Sequence, residues 1–214
     1  MGPVDKATRD VIVKNRLCNW LKDYPWLVGY LGKRRSPVWF VAENPSLRGV
    51  VRIHSRSSVS SKNLQWNAHA GDWLFREALV KAGLKKGNPR DHRGWECYIT
   101  DVIKEPEVVK ERNEKKRDPS YWRTQACQWL PVFLEELRLG RPRVLVAVGN
   151  PALKILKYWA EQGVLLPRIE QIPHYSYVMF RPDNKAGLGP GHPERKKAFI
   201  TVIVRIKKRY SCIR

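Results

Sequence analysis

Two five-residue runs, Val38–Ala42 (Val-Trp-Phe-Val-Ala) and Val144–Val148 (Val-Leu-Val-Ala-Val), carry no polar side chain at any position. A strand with one face in water alternates apolar and polar residues. A run that never alternates must be covered on both faces, which is the situation of a parallel sheet sandwiched between helices. Two further runs, Cys97 to Ile103 and the weaker Ile169 to Pro173, have strand length and composition. Helical patterns lie between and around them: Ala7 to Tyr24, Gly71 to Gly83, Tyr121 to Leu139, Pro151 to Gly163 and the basic segment Glu194 to Tyr210. The expected fold class is therefore α/β, a three-layer α/β/α sandwich around a central, mainly parallel, four-stranded sheet. A length of 214 residues suits one domain spanning 1–214, with 1–36 as a helical extension and 192–214 as a basic C-terminal helix.

Lys plus Arg number 41 against 20 Asp plus Glu, a formal net charge of +21, and the cations are spread along the whole chain. A polyanion is the expected partner, although charge alone also fits a merely soluble basic protein. No apolar run approaches the roughly 20 residues that cross a bilayer, and the N-terminus alternates charged and apolar residues, so an intracellular protein with no membrane partner is expected. The four cysteines, Cys18, Cys97, Cys127 and Cys212, form no Cys-x-x-Cys pair, and the five histidines supply no ligand pair beside them. Reduced thiols are expected, with no metal and no cofactor.

In a sheet of this kind ligands bind beyond the carboxyl ends of the strands. The segments that leave those ends are 43–65, 104–119, 149–151 and 174–193. The first strand exits through Glu43-Asn44-Pro45-Ser46. Asn44 there can hold a water or a carbonyl, or Asn-Pro can simply open a turn. The last exits through His174-Tyr175-Ser176-Tyr177. A histidine at a strand exit, followed by aromatics and Arg181, is well placed for acid-base work, although a lone His is more often structural.

Taken together these pieces resemble the uracil-DNA glycosylase superfamily, over roughly Val38 to Tyr210. Ala42-Glu43-Asn44-Pro45-Ser46 is similar to the first motif, a hybrid of Gly-Glu-Ala-Pro-Gly and Gly-x-Asn-Pro-Gly. Gln65-Trp66-Asn67-Ala68-His69-Ala70-Gly71 resembles Pro-Phe-Val-Gly-x-Ala-Gly and puts Trp66 where an aromatic ring stacks on the extruded base. Tyr98-Ile99-Thr100-Asp101-Val102-Ile103-Lys104 is similar to Tyr-Ile-Thr-Asn-Val-Val-Lys, whose Asn reads uracil. The helix from Leu130 to Leu137 and the strand running into Gly149-Asn150-Pro151-Ala152 follow the family order, and His174-Tyr175-Ser176-Tyr177 resembles His-Pro-Ala-Tyr. The resemblance implies a monofunctional DNA glycosylase of base-excision repair, hydrolysing the N-glycosidic bond of a flipped, deaminated or modified base. DNA is the implied partner, and a monomer is expected. It implies Asn44, His174 and, in reserve, Glu43 as catalytic residues, and Trp66, Asp101, Ala42, Pro45 and Ser46 as the base-binding set.

The departures point to altered specificity. Ala42 and Ser46 replace glycines, Tyr175 replaces the proline of the second motif, and the four cysteines of the iron–sulfur type are not reproduced, since Glu105 follows Lys104. Asp101 replaces the uracil-reading Asn. An amide donates and accepts, whereas an ionised carboxylate only accepts; a protonated Asp has one of each and pairs with uracil or cytosine. Burial favours that neutral form, so discrimination for uracil is expected to be blunted. A solvated Asp at a loop start is the plain alternative. Lys62, Arg181, Lys185 and the basic C-terminal helix, Arg195, Arg205, Lys208 and Arg209 among them, are expected to grip phosphates, with Ser176 beside the second motif. Tyr177, Val178 and Met179 are the expected wedge into the duplex, Met179 foremost, or else core. Two rival readings remain: a nucleic-acid-binding protein that keeps the fold without catalysis, and a nucleotide-binding regulator using Gly149-Asn150-Pro151 as an anion site.

Overall fold

The computed structural model describes residues 10, 31–44, 70–91, 93–105, 114–115, 118 and 120–211. Of the helix expected over Ala7 to Tyr24 only Asp10 is among them. The described elements are β1 (Leu31–Gly32), β2 (Val38–Ala42), α1 (Ala70–Lys81), β3 (Tyr98–Asp101), α2 (Tyr121–Gly140), β4 (Val144–Val148), α3 (Asn150–Glu161), β5 (Arg168–Ile172), α4 (Tyr175–Phe180) and α5 (Pro193–Ser211).

The sheet has five strands in the order β1-β3-β2-β4-β5. β3, β2, β4 and β5 are parallel, and β1 pairs antiparallel with β3 through Leu31 opposite Ile99 and Gly32 opposite Tyr98. The four expected strands are present. The fifth is a correction to the four-stranded expectation, and its two residues are too few to show any period in sequence.

The non-alternating runs are accounted for by what covers each side. Val38 and Phe40 of β2, with Val144, Val146 and Val148 of β4, pack against Leu74, Phe75 and Leu79 of α1 and Phe199, Ile203 and Ile206 of α5. Trp39 and Val41, with Leu145 and Ala147, pack instead against Trp129, Val132 and Phe133 of α2 and Ala152, Ile155 and Trp159 of α3. Adjacent residues of one strand thus enter different cores, and each core is apolar. At the start of β2, α2 closes onto the Trp39 ring at Gly140, where any side chain would overlap that ring. Pro131 sits on the exposed face of α2 and does not break it. No described helix is long and apolar enough to cross a membrane.

Candidate active site

The four parallel strands deliver their carboxyl ends to one edge. Ala42 of β2 is in register with Asp101 of β3, and β3 stays bound beyond the sheet, Val102 N–H donating to the Ala42 carbonyl and Ile103 N–H to the Glu43 carbonyl, both at 2.9 Å. On the other side Val148 of β4 pairs with Ile172 of β5, and Gly149 N–H donates to the Ile172 carbonyl at 2.9 Å. Ala42, Glu43, Asn44, Asp101 and His174 therefore all reach the same edge, and the first three are half-buried there. β2 and β5 are separated by one strand, so their backbones reach the edge about 10 Å apart.

Gly149 forms the floor between them. Its φ of 86° is a glycine conformation, and a Cβ built on it would stand 3.1 Å from the Cβ of His174. Any larger residue would strain the backbone and push His174 from its place.

His174 has extended backbone and caps α4, the Ser176 backbone N–H donating to its Nδ1 at 3.2 Å. The Ser176 hydroxyl lies 2.6 Å from the same nitrogen. Because Nδ1 accepts from a backbone amide, the proton of the neutral ring belongs on Nε2, a tautomer assigned from its partner. The ring also packs on Tyr175, with centroids 4.3 Å apart. Ser176, expected on DNA, is thus engaged in orienting the imidazole.

Tyr175 links the edge to a buried polar cluster. Its ring stacks on Phe75 at 5.2 Å and 13°, and its hydroxyl donates to the Asp72 carboxylate. Burial first, then the charges of Asp72 and Asp101, hold this phenol well above its ordinary 10. Beneath it Asp72 is 3% and Arg76 0% exposed, the Arg76 guanidinium lying 5.0 Å from the Trp73 ring and 5.5 Å from the Trp95 ring. Burial lowers the Arg76 pKa from its usual value. On the opposite face, Lys104 Nζ donates to the Asp101 carbonyl at 2.5 Å, to Glu136 at 2.7 Å and to the Thr100 hydroxyl. This buried group fixes the last turn of backbone at the end of β3, on which Asp101 sits.

Sequence reasoning missed Gly149 as the close neighbour of His174, Asp72, Tyr175 as a half-buried ring, and the Lys104–Glu136 pair. Signals existed for two of them. Glu136 falls seven residues after Trp129 on the apolar stripe of α2, and Asp72 precedes Arg76 by four on α1.

Several expectations are corrected. Val178 is 5% exposed and belongs to the core, and Met179 is half-buried against it, whereas Tyr177 and Phe180 are 62% and 52% exposed. The projecting apolar groups after the second motif are therefore Tyr177 and Phe180. Arg195 does not face a ligand: its guanidinium donates to the carbonyls of Tyr177 at 3.1 Å, Gly189 at 3.2 Å and Arg181, tying α4 to α5. Arg209 is bound to Glu170 at 2.7 Å. Arg205 and Lys208 lie about 18 and 22 Å along α5 from its start at Pro193, too far to serve the same site. Arg181 and Lys185 are exposed beyond α4. Trp66, Pro45, Ser46 and Lys62 lie outside the described residues.

A model of the uracil DNA glycosylase superfamily matches residues 28–202. The chain belongs to the uracil-DNA glycosylase superfamily. No curated protein matches it. Membership supports a DNA glycosylase-type activity with DNA as the partner. The matched span runs from before β1 into α5 and contains every strand end described above. Two of the four cysteines, Cys97 and Cys127, are among the described residues, and they lie in different parts of the fold. Cys97 is buried in the core beneath α1 and α5, where burial pushes its thiol up to about 12, while Cys127 is exposed on α2 beside Tyr158. Among the described residues no group of three potential ligands meets.

Proposed function

We propose that this protein hydrolyses the N-glycosidic bond of a base flipped out of DNA, with His174 as the group that stabilises the departing base. The observation that carries this reading is the backbone bond from Ser176 to His174 Nδ1, because it leaves Nε2–H as the donor nitrogen at the strand edge. The bond from C1′ to the base nitrogen breaks, the base leaves with the electron pair, and a donor aimed at that charge lowers the barrier. Water adds to the oxocarbenium-like sugar and loses a proton to solvent. Asn44 orients this water, since so electrophilic a carbon needs positioning more than a strong base. Flipping costs roughly a few kcal/mol. Stacking on Trp66 and filling of the vacated stack by Tyr177 or Phe180 offset part of it. Arg181 and Lys185 hold phosphates, which position without specifying.

Asp101 stands in register beside Ala42, so the base edge is read by a carboxyl in place of an amide. The pocket is expected to distinguish uracil from cytosine or another modified base less sharply than an amide would. Asp101 and Tyr175 together also favour a second reading, a DNA-binding protein that keeps the fold without turnover, because both depart from the family motifs at the site itself.

One assay separates these readings: alkali-revealed strand breakage of otherwise identical oligonucleotides bearing uracil, cytosine or hypoxanthine. Breakage at one or more of these bases is expected, falling on the order of 10²- to 10³-fold in His174→Ala and about 10²-fold in Asn44→Ala. No breakage with any base while binding persists would establish the binder. If Asn44→Ala is unimpaired and Glu43→Gln is inactive, the water belongs to Glu43.

A further inference from the structure

On the face of the sheet away from α1 and α5, an open groove of about 560 Å³ lies between the start of α2 and the second half of α3. Trp122 and Tyr158 form its walls, their rings edge-to-face at 5.1 Å. Arg123, Lys154 and Lys157 are exposed around it, against one acidic group, Glu161. Lys154 Nζ sits 4.1 Å from the Trp122 ring centroid, and the Arg123 guanidinium 5.4 Å from it. Neither cation is drawn into an ion pair by its neighbours among the described residues; an aromatic face holds both instead.

We propose that this groove is a second nucleic-acid contact, taking the phosphodiester backbone of a strand that continues past the base pocket. Three cations against one carboxylate among the described lining residues suit a phosphate and oppose a cationic partner. The ring pre-positions ammonium and guanidinium heads that would otherwise be disordered in solvent, so less entropy is lost when a phosphate arrives. The groove is open and contains no buried charge, which is too little to hold a free nucleotide firmly. It works on a polymer already tethered elsewhere, where the second contact is intramolecular.

Its position fits that use. α3 begins at Asn150, directly after Gly149 at the floor of the site, so Lys154 and Lys157 lie about 6 and 10 Å down the helix from that edge. A strand leaving the pocket mouth on the β4 side reaches them within a few nucleotides. A duplex held at the edge is stiff, whereas a single strand bends readily over it, so the single-stranded flank is the form the groove accepts.

The test is fluorescence anisotropy of a labelled oligothymidylate, which reads binding and not base release, and so it stands independently of catalysis. Lys154→Gln/Lys157→Gln is compared with Arg35→Gln/Arg143→Gln, an equal loss of exposed charge near the opposite, amino edge of the sheet. The groove variant should bind on the order of tenfold more weakly at low salt, and its slope of log affinity against log salt should be shallower by about 1.4. The control pair should change neither by more than about twofold. Equal losses in the two variants would show a diffuse electrostatic effect and overturn the proposal. So would wild-type binding by Trp122→Leu, because the ring is what holds the cations in place. Circular dichroism melts confirm that each variant is folded before its binding is read.

Discussion

Two buried polar clusters flank the end of β3, and they differ in how far they extend towards solvent. On the α2 face, Lys104 and Glu136 are each 1% exposed and meet at 2.7 Å, with the Thr100 hydroxyl 3.2 Å and the Tyr98 hydroxyl 3.2 Å from the Glu136 carboxylate. Every member is buried or turned back on β3. On the α1 face, Asp72 and Arg76 are as deeply buried, but the cluster continues through Tyr175 to the imidazole of His174. Similar residue types thus serve two purposes. The first fixes backbone; the second couples the helical layer to the edge that carries the candidate site. Damage to the first should appear as lost stability, and damage to the second should appear in turnover as well.

The largest expected effect is in Glu136→Ala, which leaves the Lys104 ammonium buried without its carboxylate and should cost about 3–5 kcal/mol of unfolding free energy. Lys104→Met/Glu136→Leu, of similar volume, should recover most of that loss in urea denaturation. A cost below about 1 kcal/mol for Glu136→Ala would mean the pair is solvated, and the contrast between the clusters would fail.

Tyr175→Phe keeps the ring on Phe75 and removes only the hydroxyl that Asp72 accepts. A loss of about 1–3 kcal/mol is expected, together with reduced base release, which Glu136→Ala should not produce beyond its loss of folded protein. The sign of its pH dependence follows from the raised pKa. The Tyr175 contribution is complete below the unfolded value of about 10 and declines as pH rises from there towards the folded value. The stability gap between wild type and Tyr175→Phe should therefore narrow above about pH 10.

Thr100→Val sharpens the comparison from the scaffold side. Lys104 and Glu136 still reach one another, so only about 1 kcal/mol should be lost, with base release unaffected in the folded protein. The smallest effect belongs to Glu170→Gln, a reference pair nearer the surface. Glu170 is partly desolvated, which raises its pKa, but Tyr210 and Arg209 outweigh this and hold it below 4.5. Its contribution of at most about 1 kcal/mol is present above the unfolded pKa and lost as pH falls through the lower folded value. The difference between wild type and variant should vanish in strongly acidic urea titrations.

How much of this was legible in the residues can be traced through particular elements. β2 and β4 were located to the residue, because five consecutive apolar side chains leave no other reading. β1 could not be seen, since two residues have no period. α4 has six residues, nearly all apolar, so its pattern gave no reason to prefer Met179 over Tyr177 or Phe180 as the projecting group; packing of Val178 into the core chose for it. Asn44, Asp101 and His174 were legible as strand exits. That Ser176 would hold His174, or that Arg195 would be consumed by three carbonyls, was not. A guanidinium reads the same in sequence whether it faces phosphate or backbone.

The sequence by itself determined the class of sheet, the four long helices α1, α2, α3 and α5, and the edge at which the candidate site lies, because hydrophobic period and strand exits are local properties of the chain. Only the tertiary structure decided which polar groups are partnered and which remain outward, as at Lys104, Arg195 and Tyr175. That division depends on which groups from distant parts of the chain are brought within hydrogen-bond distance, and on how much water burial removes from them.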